Sequence, residues 1–176
     1  MGRRIRSAFT APKGKVYISA DYSQIELVVL SHLSGDPAMC KAFNEGTDVH
    51  KATASMIYGV GIDEVTPEMR RTAKTINFGV IYGMGAFSLA KDLGISNTQG
   101  RIFIDKYYEQ YSSIRKFMDD TISKAESQKY LETILGRRRY ISGIDSSNKM
   151  IKNAADRIAK NTPIQGSAAD IVKLAM

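Results

Sequence analysis

The chain has very little of what holds small disulfide-bonded or zinc-bound domains together. Its 176 residues include a single cysteine, Cys40, so an internal disulfide is impossible and a reducing compartment is favoured. Two histidines and one cysteine without paired spacing also argue against a structural zinc site. With 43% hydrophobic and 24% charged residues, the chain instead has the composition of an ordinary globular protein.

Long hydrophobic runs are missing as well. No apolar run approaches the roughly 20 residues that a membrane-spanning helix needs. The basic start MGRRIR is followed by no apolar signal segment, and position 6 is Arg6 where a myristoylation motif has Ser or Thr. The sequence therefore predicts a soluble intracellular protein with no membrane partner and no disulfide partner.

Acidic residues are in the minority, with 18 Asp and Glu against 25 Lys and Arg. The net charge is +7 and the pI is near 9.5. A basic balance points to polyanionic partners such as nucleic acids, although a solvated basic surface gives the same balance. Charge alone leaves both interpretations open.

Proline is also scarce, with four in the chain, and no segment rich in Pro, Gly or Ser divides the chain into separate domains. Apolar spacing of three and four residues predicts helices over most of the length, one of them beginning at Thr66 and Pro67. The predicted helices cover about 23–33, 37–45, 48–58, 66–82, 86–93 and parts of 97–129. The predicted fold class is therefore α+β, mainly helical.

Three segments differ from this helical pattern. Alternation in KVYISA, residues 15–20, predicts a half-buried strand. YLETILGRRRYIS, residues 130–142, predicts a β-hairpin whose basic tip at 137–139 suits a phosphate backbone, or is simply a solvated turn. Pro163 is predicted to end a helix, because the residue before proline avoids the helical region. SAADIVKLAM then begins another helix without an end signal, so the chain looks cut.

The helix predicted over 66–82 carries four residues at intervals of four on one side: Arg70, Lys74, Phe78 and Tyr82. We call this set the cation–aromatic stripe. Cations favour phosphate oxygens, whereas an aromatic plane stacks on a base or flanks a sugar, so the order of groups matches that of a nucleoside triphosphate. The alternative is a helix with exposed cations at one end and two core aromatics at the other.

A second polar set, Arg157, Asn161 and Gln165, has the same spacing. An arginine with two side-chain amides suits hydrogen bonds to phosphates and base edges. The alternative is an ordinary polar surface near a helix end.

Asp21 follows the strand predicted over 15–20, where a side chain is held by the sheet yet faces a cleft. The backbone carbonyl of Tyr22 could add a second hard oxygen, as magnesium prefers. A turn former or helix N-cap is the alternative for Asp21. Four further acids show no partner pattern in the sequence: Asp36, Asp48, Asp156 and Asp170.

Three segments resemble motifs of the family A DNA polymerases, the bacterial DNA polymerase I type. DYSQIEL (21–27) is similar to the first palm motif of that family. RRTAKTINFGVIYG (70–83) resembles its fingers-helix motif, Arg-x3-Lys-x3-Phe-x3-Tyr-Gly, and RIAKNTPIQGSAADI (157–171) looks like the segment returning from fingers to palm. The motifs occur in the family's order, and the similarity covers essentially the whole chain.

The resemblance implies roles for the residues of the first motif. Asp21 would bind both catalytic magnesium ions of the complete enzyme, with the Tyr22 carbonyl assisting. Glu26 would lie beneath the sugar of the incoming dNTP and exclude a 2′-hydroxyl, a glutamate that the related single-subunit RNA polymerases lack. Gln24 and His50 would line the nucleotide pocket.

The resemblance also implies roles for the cation–aromatic stripe. Arg70 and Lys74 would hold the triphosphate, with Lys74 a proton donor to the leaving pyrophosphate. Phe78 would flank the sugar and discriminate against dideoxynucleotides, while Tyr82 would stack near the templating base. The second polar set would contact the primer–template DNA: Arg157, Asn161 and Gln165.

Two departures from the family pattern stand out. Position 28 is Val28, where the family commonly has Arg. The family's second catalytic carboxylate lies in a His-Asp-Glu motif that does not occur here, and the thumb and any exonuclease domain are absent too. The chain is therefore expected to be a fragment that is weakly active or inactive alone.

The resulting prediction is a fingers subdomain and part of the palm of a right-hand DNA polymerase. Residues 1–34 would form partial palm, 35–145 the fingers with a nucleotide-binding helix at 67–82 and a hairpin at 130–141, and 146–176 a truncated return to the palm. The parent would be a cytoplasmic enzyme in a bacterial or phage-like context. A non-catalytic nucleotide- or DNA-binding fragment is the alternative, and a single-subunit RNA polymerase a further one.

Overall fold

The computed structural model describes residue 5 and residues 8–176, and most of these residues lie in helices. The helices in chain order are α1 (Ile25–Ser34), α2 (Pro37–Asn44), α3 (Val49–Tyr58), α4 (Pro67–Ile81), α5 (Ala86–Leu93), α6 (Asn97–Gln110), α7 (Ser112–Gln128) and α8 (Lys149–Ala175). A short 3₁₀ turn, Ile62–Glu64, precedes α4. Strands β1 (Tyr130–Glu132) and β2 (Arg138–Tyr140) pair antiparallel, with Leu131 opposite Arg139. The mainly helical α+β prediction is confirmed.

Helix starts follow the capping residues that the sequence supplies. The Asp36 and Asp48 side chains each accept two backbone N–H bonds at the starts of α2 and α3. Thr66 accepts the N–H of Met69 at the start of α4, where Pro67 occupies the first helical position. The bounds predicted for these helices are confirmed to within one or two residues.

The main core lies around α1, which packs against α2, α4, α7 and α8. Its buried side chains come from all eight helices, and include Leu27, Leu30, Met39, Ile76, Ile81, Ile114, Met118 and Ile164. A second, smaller core lies beneath the hairpin: Ala125, Leu131, Ile141, Ile144, Ala155 and Ala159. α1 therefore joins the loop that carries Asp21 to the helices that carry the other predicted site residues.

The strand predicted over 15–20 is absent. These residues have no regular structure, and Val16 and Ile18 are 82% and 87% exposed. In the described ranges the hairpin is the only sheet, so this segment has neither a ladder partner nor a face to cover its apolar side chains. The alternation is real, but alternation alone does not make a strand.

Pro163 does not end a helix either. α8 continues through it, although proline removes the backbone bond to Ala159 and one N–H donor. Pro163 and Ile164 are buried where α8 packs on α1, and the Ser167 hydroxyl donates to the Pro163 carbonyl at 2.5 Å. Tertiary packing outweighs the local rule, so the separate helix predicted from residue 167 is the second half of α8.

Two further predictions are refined. The region 97–129 contains two helices, α6 and α7, because the backbone leaves the helical region at Tyr111 (φ −106°, ψ 60°). The hairpin is confirmed and packs on α7 and α8. A Cβ on Gly166 of α8 would lie 2.6 Å from Thr133 Cγ2, so glycine is what allows the hairpin to approach so closely.

No helix in the described part of the chain is both long and apolar enough to cross a membrane.

Candidate functional site

A pocket of about 420 Å³ gathers residues from three segments that are distant in sequence. The loop before α1 and α1 itself, then α4, then α8 contribute in turn Asp21, Tyr22, Gln24, Ile25, Glu26, Phe78, Gln165, Ala168, Ala169 and Val172. The structure thus brings together predicted site residues of all three motifs.

Gln24 has a backbone conformation that non-glycine residues seldom adopt. Its φ of 57° and ψ of 33° place it in the left-handed region immediately before α1. The turn lets Asp21 and Glu26, on either side of Gln24, line the same pocket. Such a residue costs about 1–2 kcal/mol, and strain of this kind is concentrated at functional sites.

The cation–aromatic stripe lies on one side of α4, with Tyr82 as the C-cap residue directly after the helix. Tyr82 is 41% exposed, and Phe78 is half-buried and packs against the main core while also lining the pocket, so the alternative of two core aromatics fails at Tyr82. Lys74 is exposed, with Nζ 6.0 Å from the centroid of the Phe78 ring. The stripe is therefore an accessible surface of cations followed by aromatics.

Tyr82 connects the stripe to the first motif. Its hydroxyl donates to Glu26 Oε2 at 3.1 Å, across 56 residues of sequence. Burial and this bond to a carboxylate raise the pKa of the Tyr82 hydroxyl above its ordinary value, so it stays a donor. Glu26 thereby has a fixed partner at the rim of the pocket.

Arg70, at the start of the stripe, pairs with an acid for which the sequence predicted no partner. Its Nε lies 2.7 Å from Asp48 Oδ2, while Asp48 Oδ1 accepts the N–H groups of His50 and Lys51. Burial alone would raise the pKa of Asp48, but the bonds from Arg70 and the backbone hold it below its ordinary value. One carboxylate thus caps α3 and orients Arg70, leaving the two terminal nitrogens of the guanidinium for other acceptors.

His50 lies beside Phe78 and is only 2% exposed. The two ring centroids are 5.9 Å apart, and His50 Nδ1 lies 2.9 Å from Asn77 Nδ2. Burial, together with the positive charges of Arg70 and Lys74, lowers the pKa of His50 to about 4 against the opposing effect of Asp48. His50 is therefore neutral near pH 7.

The second polar set lines a neighbouring pocket. Arg157, Asn161 and Gln165 follow one side of α8 and meet Tyr82 there, with Arg139 of the hairpin opposite. Gln165 lines both this pocket and the first one. The close approach depends on Gly83 (φ 65°), where a Cβ would lie 3.1 Å from Arg157 Cγ.

The three arginines predicted at the hairpin tip do not lie at the turn, because Arg138 and Arg139 belong to β2 and Arg137 directly precedes it, and two of the three are bound by the protein itself. Arg137 Nε lies 2.8 Å from Asp170 Oδ1, and its Nη2 donates to the Gly166 carbonyl. Arg138 Nε lies 2.8 Å from Glu132 Oε1, with the guanidinium 4.7 Å from the Tyr130 ring centroid. Among the residues that the structure describes, Arg139 alone of the three lacks a carboxylate partner, so the predicted basic tip is reduced to one arginine.

The sequence interpretation missed two residues beside the site. Asp48 was detectable as the N-cap residue two positions before His50, but its pairing with Arg70 joins segments 22 residues apart. Asn77 was hidden within the apolar side of α4, and is 0% exposed. Two of the other acids without a predicted partner, Asp156 and Asp170, also form ion pairs, whereas Asp36 caps α2.

Metal binding would rest on few protein atoms. Asp21 and Tyr22 are exposed at the pocket, and nowhere in residue 5 or residues 8–176 do three His, Cys, Asp or Glu side chains cluster as metal ligands. A carboxylate and a carbonyl are hard oxygens that suit magnesium, which often takes one or two protein ligands and completes its shell with water and phosphate. The donor set therefore fits magnesium shared with a phosphate ligand.

Comparison with known proteins agrees with the geometry. The sequence model of DNA polymerase family A matches residues 1–176. DNA polymerase I of Borreliella burgdorferi is 50% identical over 175 residues, which are 99% of this chain and 19% of that protein. The thermostable DNA polymerase I of Thermus aquaticus is 46% identical over 176 residues, all of this chain and 21% of that protein. The chain thus spans about a fifth of the length of these curated relatives.

A solved structure gives the same result for the fold. The POL domain of Pol1 from M. smegmatis, in complex with DNA primer-template and dNTP, matches with a TM-score of 0.90 and 45% sequence identity. The match covers 99% of this chain and 31% of that chain. The fold is that of the corresponding fingers and palm region, and the chain belongs to DNA polymerase family A.

Proposed function

We propose that this chain carries the nucleotide-binding part of a template-directed DNA polymerase, which adds dNTPs to a primer 3′-hydroxyl and releases pyrophosphate. The observation that carries the proposal is the cation–aromatic stripe on α4, which begins with cations and ends with aromatics beside the pocket containing Asp21 and Glu26. The likeness to a polymerase domain described with DNA primer-template and dNTP supports it.

The triphosphate would lie along the cationic half of the stripe. Arg70 keeps two terminal nitrogens free while Asp48 holds its Nε, and Lys74 is exposed beside Phe78. Cations positioned in this way stabilise the charge that develops on transferred and leaving phosphates. Lys74 is the group we assign to donate a proton to the leaving pyrophosphate, because neutral His50 is too weak an acid to release its remaining ring proton near pH 7.

The sugar would lie between Phe78 and Glu26. The bond from Tyr82 to Glu26 fixes the carboxylate at the pocket, where it would occupy the space of a 2′-hydroxyl. In a polymerase chain that contains these residues, Glu26→Ala is expected to relax the exclusion of ribonucleotides. Unchanged selectivity between dATP and ATP would remove the sugar-gate assignment.

Asp21 and the Tyr22 carbonyl would hold magnesium at the same pocket. When bound, the ion supplies neutralisation of phosphate charge and activation of the attacking hydroxyl. Asp21→Ala in a polymerase chain that contains these residues should abolish primer extension while dNTP binding to α4 persists in part. Retained extension would refute the assignment of Asp21.

The primer–template would pass over α8. Arg157, Asn161 and Gln165 line a pocket with Tyr82 and Arg139, and the first three offer a guanidinium and two amides for phosphates and base edges. On this proposal residues 1–34 belong to the palm, 35–145 to the fingers and 146–176 to the return to the palm. Magnesium and the two substrates, dNTP and DNA, are the proposed ligands.

A second candidate is a chain that binds nucleotide or DNA without catalysing extension. It is favoured by the metal site, because the described pocket residues include two carboxylates and one of them, Glu26, already accepts the Tyr82 hydroxyl, which leaves Asp21 for magnesium. A primer-extension assay with Mg²⁺ on the purified 176 residues distinguishes the two. We expect little or no extension, and robust extension would show that one carboxylate in this chain is enough.

A further inference from the structure

A line of buried polar groups begins at His50, beside Phe78, and continues through three residues to which the assignments above give no role. It runs from His50 to Asn77, Thr53 and Tyr111, which are 2%, 0%, 0% and 3% exposed. Burying a polar group is unfavourable unless it is hydrogen-bonded, so each member depends on the next. The line joins α3 and α4 to the junction of α6 and α7.

Asn77 has a hydrogen-bond partner on each side of its amide. Its Nδ2 lies 2.9 Å from His50 Nδ1, and its Oδ1 lies 3.2 Å from Thr53 Oγ1, whose single proton is shared with the Val49 carbonyl at 2.8 Å. An amide nitrogen can only donate, so His50 Nδ1 must accept and the imidazole carries its proton on Nε2. The Tyr111 hydroxyl, 3.2 Å from Thr53 Oγ1, completes the line.

Charged groups near His50 act in opposite directions. Asp48, at the start of the same helix, favours an imidazolium, whereas Arg70 and Lys74 on α4 disfavour it. Burial disfavours it most, and Asn77 offers Nδ1 a donor rather than an acceptor. Every one of these effects except the charge of Asp48 therefore favours the neutral imidazole.

We propose that Asn77 is a positioning residue that holds His50 in one neutral tautomer, with the proton on Nε2, so that His50 serves as a hydrogen-bond donor to a phosphate oxygen. Phosphate oxygens only accept hydrogen bonds, so the opposite tautomer would present a lone pair to them. The identity of the ligand as a dNTP rests on the proposed function. The tautomer of His50 does not, because it is argued from the contact with Asn77.

The tautomer is measurable directly, because the chain has only two histidines. In ¹⁵N-labelled protein, long-range ¹H–¹⁵N spectra distinguish the Nε2–H form, the Nδ1–H form and the imidazolium, and His32→Gln leaves His50 as the only signal. We expect a single Nε2–H species from pH 8 down to about pH 5. An Nδ1–H species, or an equal mixture, would overturn the proposal, because it would mean that Asn77 presents its oxygen to His50.

Variants of Asn77 test whether this residue determines the tautomer of His50. Asn77→Asp presents an acceptor of the same shape, so His50 should switch its proton to Nδ1 and its pKa should rise, because a carboxylate favours the imidazolium. Asn77→Leu removes the donor, and a mixture of tautomers is expected. Exposed Asn97→Asp adds the same charge on α6 and should change neither property. If Asn77→Asp leaves the tautomer unchanged in a folded protein, Asn77 does not position His50.

Thr53→Val provides a milder test if the buried carboxylate of the Asn77→Asp variant prevents folding. It keeps the shape of the side chain but removes the hydroxyl that contacts Asn77 Oδ1, so the share of the Nε2–H form should fall. An unchanged tautomer in a folded Thr53→Val protein would limit the positioning to Asn77 alone and contradict the proposed line.

Titration with Mg²⁺ and dATP separates this inference from the proposed function. We expect the His50 Nε2 signal to shift on binding, and Asn77→Leu to weaken binding about tenfold, as expected for one lost hydrogen bond to a charged group. If no nucleotide binds but the Nε2–H tautomer is present, the proposed function fails and the positioning stands. If nucleotide binds to the Nδ1–H form, only the positioning fails.

Discussion

Two groups of cations in this chain look alike in the sequence and differ in the structure. In the cation–aromatic stripe, Lys74 is exposed and has no carboxylate partner among the described residues, whereas Arg70 is half-buried and has one. Arg137 and Arg138 of the hairpin are each held by a carboxylate and by a second group of the protein. Each group thus keeps one cation without a carboxylate partner among the described residues, Lys74 in the stripe and Arg139 in the hairpin, and the groups differ in how the paired arginines are held.

The difference lies in what the nearby acids do. Asp48 accepts Arg70 Nε on one oxygen and backbone N–H groups at the start of α3 on the other, and the Arg70 terminal nitrogens have no further acceptor among the described residues. Asp170 accepts Arg137 Nε and the Thr133 hydroxyl, and Arg137 Nη2 also donates to the Gly166 carbonyl, so these bonds attach the hairpin to α8. The first arrangement prepares a cation for a ligand, and the second one uses a cation to build the fold.

The largest expected effect is the loss of nucleotide affinity on Lys74→Ala. Removing an exposed cation that directly contacts phosphate should weaken binding of Mg²⁺·dATP by about 10- to 100-fold, as for a charge-assisted hydrogen bond. Calorimetric titration measures the affinity. Lys124→Ala, which removes an exposed lysine of α7, should leave it unchanged; equal losses in both variants would mean that binding is non-specific.

Arg137→Ala should show the opposite behaviour. Without Arg137 the hairpin loses its bonds to Asp170 and Gly166, so the melting temperature should fall by about 2–5 °C while the affinity for Mg²⁺·dATP stays the same. Circular dichroism and the same titration give both values. Arg139→Ala is the matched control, with no expected change in melting temperature, and a loss of dATP affinity in Arg137→Ala would end the contrast between the two groups.

Two substitutions of Asp48 distinguish the contribution of helix capping from that of the ion pair with Arg70. Asp48→Ala should lower the free energy of unfolding by about 1 kcal/mol, because α3 loses its N-cap. Asp48→Asn keeps a good capping side chain and should cost less, while leaving Arg70 less well oriented and dATP binding weaker. Urea unfolding of both variants measures this; an Asn variant as unstable as the Ala variant would show that the ion pair, and not the cap, is the larger contribution.

The smallest effect is expected at Val28, which departs from the family pattern. Val28 is 43% exposed on α1, so Val28→Arg needs no buried space and should change the free energy of unfolding by less than about 0.5 kcal/mol. Urea unfolding measures the change. A loss much larger than this would mean that the buried part of Val28 makes a packing contact that arginine cannot replace.

Local signals predicted the helices well. Thr66 with Pro67, Asp48 and Gly94 each mark a boundary through bonds or backbone angles within a few residues, and the observed helices begin or end there. Side-chain spacing also predicted the stripe, because the helical repeat alone determines which residues share a side. What these signals have in common is that their partners lie close by in sequence.

Predictions that needed distant partners were the ones that failed. The alternation over 15–20 is exposed because no described strand pairs with it, and Pro163 lies inside α8 because packing on α1 outweighs one lost backbone bond. The pairing of Asp48 with Arg70 and the buried bond of Asn77 to His50 also join separate helices. Periodicity reports which residues share a side of a helix, but not which other helix they meet.

The most direct test is a map of amide chemical-shift changes when Mg²⁺ and dATP are added to the ¹⁵N-labelled chain. The account predicts the largest changes along α4 at Arg70, Lys74 and Phe78 and at Gln24 and Glu26, with little change in the hairpin at residues 137–139. Changes confined to the hairpin arginines, or none along α4, would contradict it, because the open cations would then not be the ones that bind the nucleotide.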